Sequence, residues 1–123
     1  MRAAILCLMG VAMMVNGTVM LLVPATWYAL VPGVADTGPL NLHFVRDIGA
    51  AYLVAGGSVV WFLRDRRAQA AAVIAAAFLA AHALIHVADG IAGRESLMQL
   101  VIDTPTVLLP GAFLLILLKE KVS

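Results

Sequence analysis

Four long apolar runs, separated by short segments rich in turn-forming and charged residues, divide the chain into its predicted elements. The runs cover residues 3–23, 42–63, 69–91 and 99–118. An α-helix needs about 20 mostly apolar residues to cross the roughly 30 Å hydrocarbon core of a bilayer. The pattern therefore predicts an all-α protein in which four transmembrane helices form a single integral membrane domain over residues 1–123.

The segments between the runs carry signals that begin and end helices. The stretch VPGVADTGPLN, residues 31–41, holds two prolines and two glycines and is typical of a loop. Asn41 at its end is a predicted N-cap of the second helix. The stretch IAGRES, residues 91–96, is expected to end the third helix. Pro110 and Gly111 are expected to kink the fourth, which neighbouring helices can accommodate.

Composition supports a lipid environment. The 123 residues are 63% hydrophobic and 12% charged, with a mean hydropathy of +1.03, whereas soluble domains are about 45–50% apolar and about 25% charged. A net charge of +1 without a large basic patch argues against nucleic-acid binding. The first apolar run is longer than the core of a signal peptide, so it is expected to remain as a span.

Basic residues predict the orientation. Six of the eight Lys and Arg residues fall on one side of a four-span layout, namely Arg2, Arg64, Arg66, Arg67, Lys119 and Lys121. Because cytoplasmic segments of membrane proteins are enriched in Lys and Arg, both termini are predicted to be cytoplasmic, that is, N-in and C-in. The connections at 24–41 and 92–98 then face the exterior.

Small residues indicate that the predicted helices pack closely. Ala72, Ala76 and Ala80 recur at four-residue spacing in the third span, and the second span contains Gly49, Gly56 and Gly57. Helices in lipid associate through such residues because their backbones can approach one another. One compact bundle is expected.

Ionisable and polar side chains concentrate in the predicted outer half of this bundle. At 1.5 Å per residue, they lie within about 10 Å of the outer boundary, and those on one helix share a face. Facing lipid would cost about 2.5–3.5 kcal/mol for each Asp or Arg near the bilayer centre. An outward-open pocket is therefore predicted, contributed by all four helices and lined by Asn16, His43, Arg46, Asp47, His82, His86, Asp89 and Asp103.

The stretch HALIHVADG, residues 82–90, suggests a metal site formed by His82, His86 and Asp89. Two histidines four residues apart on a helix can bind one ion, and a carboxylate from Asp47 or Asp103 would complete the shell. A haem alternative places His43 or His82 opposite His86, with Arg46 binding a propionate. A structural alternative has the histidines hydrogen-bonded to the aspartates.

A metal-free ligand or catalytic role is a further alternative. His82 or His86 would act as general acid or base together with Asp47. Arg46 and Asp47 would bind an anionic or carbonyl group, with Asn16, His43 and Asp103 as further ligand-binding residues. Two structural alternatives stay open. In one, Arg46 pairs with Asp89 or Asp103. In the other, Asp103, followed by Thr104 and Pro105, caps a helix, and residues 95–102 form a separate short interfacial helix.

The stretches NLHFVRDIGAAYLVAGG, residues 41–57, and HALIHVADG resemble the small bacterial four-helix membrane proteins of the DoxX-like families. This resemblance implies a bacterial inner-membrane protein, and the outward-open pocket predicted from the basic residues would then face the periplasm. It also implies a link to quinone or thiol redox complexes for some relatives. No catalytic residue follows from it.

The expected function is binding of a small ligand, a quinone, a transition metal, haem or another redox cofactor in this pocket, with acid–base or redox chemistry in some versions. Whether the protein is an enzyme is left open. The alternative is an accessory or structural subunit, in a homo-oligomer or a larger membrane complex, whose polar cluster only stabilises helix packing.

Overall fold

The computed structural model describes residues 1–110, 112 and 114, and in this part of the chain all regular structure is helical. This confirms the predicted all-α class for the described residues. Five α-helices, two 3-10 turns and one π-helical segment follow one another in the order α1 Arg2–Leu22, α2 Pro24–Leu30, 3-10 Val34–Thr37, α3 Leu42–Arg64, 3-10 Arg66–Ala68, α4 Gln69–Ile91, α5 Leu97–Asp103 and π Thr104–Leu108.

The three long helices, α1, α3 and α4, coincide with the first three predicted spans. Two helical stretches, Arg2–Leu22 and Arg66–Ile91, are long and apolar enough to cross a membrane. Helix α3 has the same 23-residue length as α4, but it carries Arg46 and Asp47 near its start.

The connection between α1 and α3 contains more helix than its turn-forming residues predict. Pro24 occupies the first turn of α2, where its missing N–H is not needed. The indole Nε1 of Trp27 donates a 2.9 Å hydrogen bond to Asn16 Oδ1, which ties α2 to α1. Asn41 caps α3 as predicted, because its Oδ1 accepts a 3.1 Å hydrogen bond from Phe44 N.

Helices α1 and α3 cross at two places where glycine faces glycine. A Cβ on Gly10 would lie 3.1 Å from Gly56 O, and a Cβ on Gly49 would lie 2.9 Å from Gly17 O. Gly49 and Gly56 therefore have the packing role predicted for them, whereas Gly57 has open space beside it.

The apolar core lies at the end of the bundle where α1 begins and α3 ends. Its best-buried side chains come from all three long helices and from residue 114: Leu6, Val59, Ala72, Ala76 and Leu114. Ala72 and Ala76 thus lie in the interface that their spacing predicts, and Ala80 is half-buried.

The segment predicted as the fourth span starts with the short helix α5 at Leu97, two residues earlier than expected. Ser96 caps it, since its Oγ accepts a 3.1 Å hydrogen bond from Gln99 N. The alternative in which Asp103 caps a helix is seen in position only. Residues 97–103 form a short helix and Asp103 directly precedes the π-helical segment, with Pro105 in its first turn, but the Asp103 side chain makes no capping hydrogen bond. Pro110 is helical, but Gly111, most of residues 111–118, Lys119 and Lys121 lie outside the described residues, as does the predicted kink.

Candidate metal-binding site

His86, Glu95 and Asp103 form a compact group at the end of α4, here called the acid–histidine cluster. His86 Nδ1 lies 3.0 Å from Asp103 Oδ2 and 3.1 Å from Glu95 Oε1. One ligand atom from each of the three residues lies within 4.8 Å of the other two. One imidazole nitrogen and two carboxylate oxygens therefore converge on one point.

A sharp reversal of the chain brings these three residues together. Gly93 has a φ of +69°, a left-handed conformation that glycine adopts without strain. The Ser96 cap then starts α5, and Leu100 packs directly against Gly90, where a side chain would have no space. Asp103 consequently lies beside His86, and Glu95 closes the group from the turn.

Burial leaves polar atoms of the cluster without hydrogen-bond partners. Asp103 is only 6% exposed, and the side chains of His86 and Glu95 are 19% and 12% exposed. His86 Nδ1, Glu95 Oε2 and Asp103 Oδ2 are buried and form no hydrogen bond. Leaving such an atom unsatisfied typically costs about 1–3 kcal/mol, and more for a charged group.

Gln99 engages the other oxygen of Asp103. Its Nε2 donates a 2.9 Å hydrogen bond to Asp103 Oδ1 and a longer, 3.4 Å one to Pro32 O. The amide therefore links the α1–α3 connection to the cluster. It also holds the carboxylate so that Oδ2 faces His86.

Aromatic rings continue from the cluster toward the core. The His82 and His86 rings meet edge to face with centroids 4.9 Å apart, and Tyr52 contacts His82 in the same way at 6.1 Å. His82 thus touches His86 but supplies no ligand atom to the cluster. The direct ring contact leaves no room for a porphyrin between these two histidines, so they do not form the pair that the haem alternative requires.

The structure separates the other predicted site residues from this cluster. Asp89 is paired with Arg94, five residues later and across the turn, rather than with His86. Asn16 contacts Trp27 and the Met20 sulfur.

The second-helix residues predicted for the pocket lie on an exposed face of α3. His43 and Asp47 form a pair at 3.3 Å whose side chains are 88% and 60% exposed. Arg46 is also exposed. Of the predicted pocket residues, His82, His86 and Asp103 lie together, whereas His43, Arg46 and Asp47 lie on the exposed face of α3.

Sequence reasoning did not identify Glu95, because its position in IAGRES marked it only as part of a turn. The sequence contains one signal for it: Glu95 lies between the helix-ending Gly93 and the capping Ser96, close in the chain to His86. A reversal at that place returns such a residue toward the helix end.

Comparison with known proteins gives no match: no family model, no curated protein and no solved structure is similar to this chain.

Proposed function

We propose that the chain is a four-span protein of the bacterial inner membrane, of the DoxX-like type, with both termini in the cytoplasm. Support comes from the two long apolar helical stretches and from the grouping of Lys and Arg on one side of the layout. In this orientation the acid–histidine cluster lies near the periplasmic surface. The fourth span, 99–118, would complete the bundle.

We further propose that the acid–histidine cluster binds a divalent transition metal. The observation that carries this proposal is that the buried Nδ1 of His86 and Oδ2 of Asp103 lie 3.0 Å apart beside Glu95 without forming a hydrogen bond. The lone pairs of these atoms would bind a cation. The cation would also balance the negative charge of the two nearly buried carboxylates, Glu95 and Asp103.

The spacing of the ligand atoms suits such an ion. Nitrogen and oxygen ligands lie about 2.0–2.2 Å from zinc, which places neighbouring ligand atoms roughly 3 Å or slightly more apart. The two separations that involve His86 are 3.0 and 3.1 Å, and all three ligand atoms lie within 4.8 Å of one another. A set of one imidazole and two carboxylates is suited to zinc, manganese or ferrous iron rather than to Cu(I), which prefers sulfur ligands.

Three protein ligands leave at least one coordination position for water or a substrate, as in catalytic rather than structural zinc sites. An ion there would acidify a bound water or polarise a carbonyl oxygen. His82, in contact with His86, would orient the ligating ring. Acid–base or redox chemistry at this site therefore remains part of the proposal.

Metal titration of the purified protein tests this site. Tag-free protein in detergent, stripped with a chelator, should bind one Zn²⁺ or Co²⁺ per chain, measured by elemental mass spectrometry and by the visible spectrum of the Co²⁺ form. Asp103→Asn keeps the size of the side chain but removes its charge, so it should weaken binding at least about tenfold, the range that loss of ligand-shell groups typically produces. His86→Gln should behave in the same way.

His43→Gln is the matched control, because His43 also lies near a carboxylate but is exposed. It should bind the ion as tightly as the unmodified protein. Equal affinities for the Asp103→Asn and His43→Gln proteins, with equal helical content by circular dichroism, would remove the metal proposal.

A second candidate is the structural role, in which a protonated His86 between two carboxylates only joins α4 to α5. The 3.0 and 3.1 Å separations favour it, because both are ion-pair distances. This role predicts that metal-free protein is fully stable and that His86→Gln lowers its stability, whether or not metal is present.

A further inference from the structure

Helix α3 presents charged residues on a face that nothing in the described chain covers. His43, Arg46 and Asp47 are all exposed, and no described residue lies within ion-pair distance of Arg46. Within membrane spans, charged side chains almost always face protein or water rather than lipid. If α3 crosses the membrane as proposed above, protein or water must lie against this face.

An open groove of about 400 Å³ lies along the boundary between α3 and α4, and its lining begins at Ala50, about one helical turn after Arg46. Its walls are apolar and mostly small, and they include Ala50, Val54, Ser58, Ala71, Ile74 and Phe78. Close approach at small residues is the main source of helix association in lipid. The groove therefore offers a surface on which another helix can pack.

We propose that a second copy of this chain covers this face, with α3 packing against α3 about a two-fold axis along the membrane normal. All copies of a membrane protein share one orientation, so such an axis brings residues of equal depth together. Arg46 and Asp47 differ in depth by only about 1.5 Å. Each copy's Arg46 can thus pair with Asp47 of the other copy, as a self-complementary interface requires.

Charge exchange tests this pairing. Arg46→Asp and Asp47→Arg should each weaken dimerisation about tenfold or more in detergent, because each places like charges opposite each other. The double exchange, Arg46→Asp with Asp47→Arg, should restore it. Dimer content is measured by energy transfer between labelled chains. A double exchange that stays as weak as the single ones would overturn the proposal.

Cysteine cross-linking in membranes gives a second measurement. In a Cys7→Ser background, Ala50→Cys should form a disulfide-linked dimer, whereas Ala12→Cys, a matched substitution on the exposed side of α1, should not. Equal cross-linking at the two positions would refute the proposed interface, and cross-linking of Ala50→Cys only to a different protein would assign the face to another subunit.

The proposed dimer rests on the proposed placement of the chain in the membrane. Membrane fractionation of the same proteins distinguishes failure of the dimer from failure of that placement. Chains that remain in the membrane but stay monomeric would contradict the dimer alone. Chains that are not in the membrane fraction would contradict the placement.

Discussion

Replacing one of two adjacent glycines on α3 should test the packing of α1 against α3. Gly56 faces α1, where a new Cβ would lie 2.5 Å from Gly10 O, 2.8 Å from Met14 Cγ and 2.9 Å from Met13 Cβ. Gly57, the next residue, has nothing within 4 Å of the same position. The two alanine variants therefore differ in the space available and in little else.

The magnitude follows from two opposing terms. Alanine improves helix propensity by about 1 kcal/mol at either position, so this gain cancels when the variants are compared. Overpacking a tight interface costs about 1–3 kcal/mol. Since Gly10 O belongs to the backbone and cannot rotate away, we expect the upper part of that range. Gly56→Ala should be less stable than Gly57→Ala by about 2–3 kcal/mol.

The assay is reversible unfolding by SDS in mixed micelles, followed by circular dichroism, under dilute conditions in which the chain is monomeric. Gly57→Ala should match or slightly exceed the unmodified protein. If the two variants unfold at the same SDS fraction, the helices do not approach each other at Gly56 as described.

Two further substitutions test single hydrogen bonds. Trp27→Phe should lower the free energy of unfolding by about 1 kcal/mol, because Asn16 loses its indole donor; Trp61→Phe, at an exposed position, should have almost no effect in the same assay. Asn41→Ala should cost about 1 kcal/mol through loss of the α3 cap and Asn41→Ser should restore most of it; equal stability of these two variants would show that the cap does not contribute.

The sequence predicts the long helices well because each is marked by a continuous apolar run with recognisable ends. Asn41 could be assigned as a cap from its position alone. For the glycine contacts between α1 and α3, only the α3 side could be predicted. The several small residues of the second span predict that Gly49 and Gly56 pack closely. Gly10 and Gly17 have the same seven-residue spacing in α1, but spacing alone does not say which helices meet.

The candidate site was harder to predict because it depends on how the chain reverses after α4. His86 and Asp103 stand out as ionisable residues in apolar runs. Glu95 lies beside them only because Gly93 and Ser96 fix the turn. Asp89 does not, because it pairs with Arg94 across that turn. No periodicity within one helix contains this information.

The rotation of α3 about its own axis could not be predicted from the sequence either. Spacing places His43, Arg46 and Asp47 on one face, but it does not say which face meets the bundle. The contacts of α1 decide this, since Gly49 and Gly56 lie about 160–180° around the helix from Asp47. Asp47 therefore points away from the interior.

Gln99 has a consequence for any ion that enters the cluster. A free carboxylate offers two equivalent oxygens and can bind a cation through one or both. Because the Gln99 amide donates a hydrogen bond to Oδ1 of Asp103, Oδ2 is the freer oxygen, and an ion bound as proposed above would favour monodentate coordination through it. Gln99, which is not a proposed ligand, would thereby influence the coordination number, and Gln99→Leu would free Oδ1 for chelation.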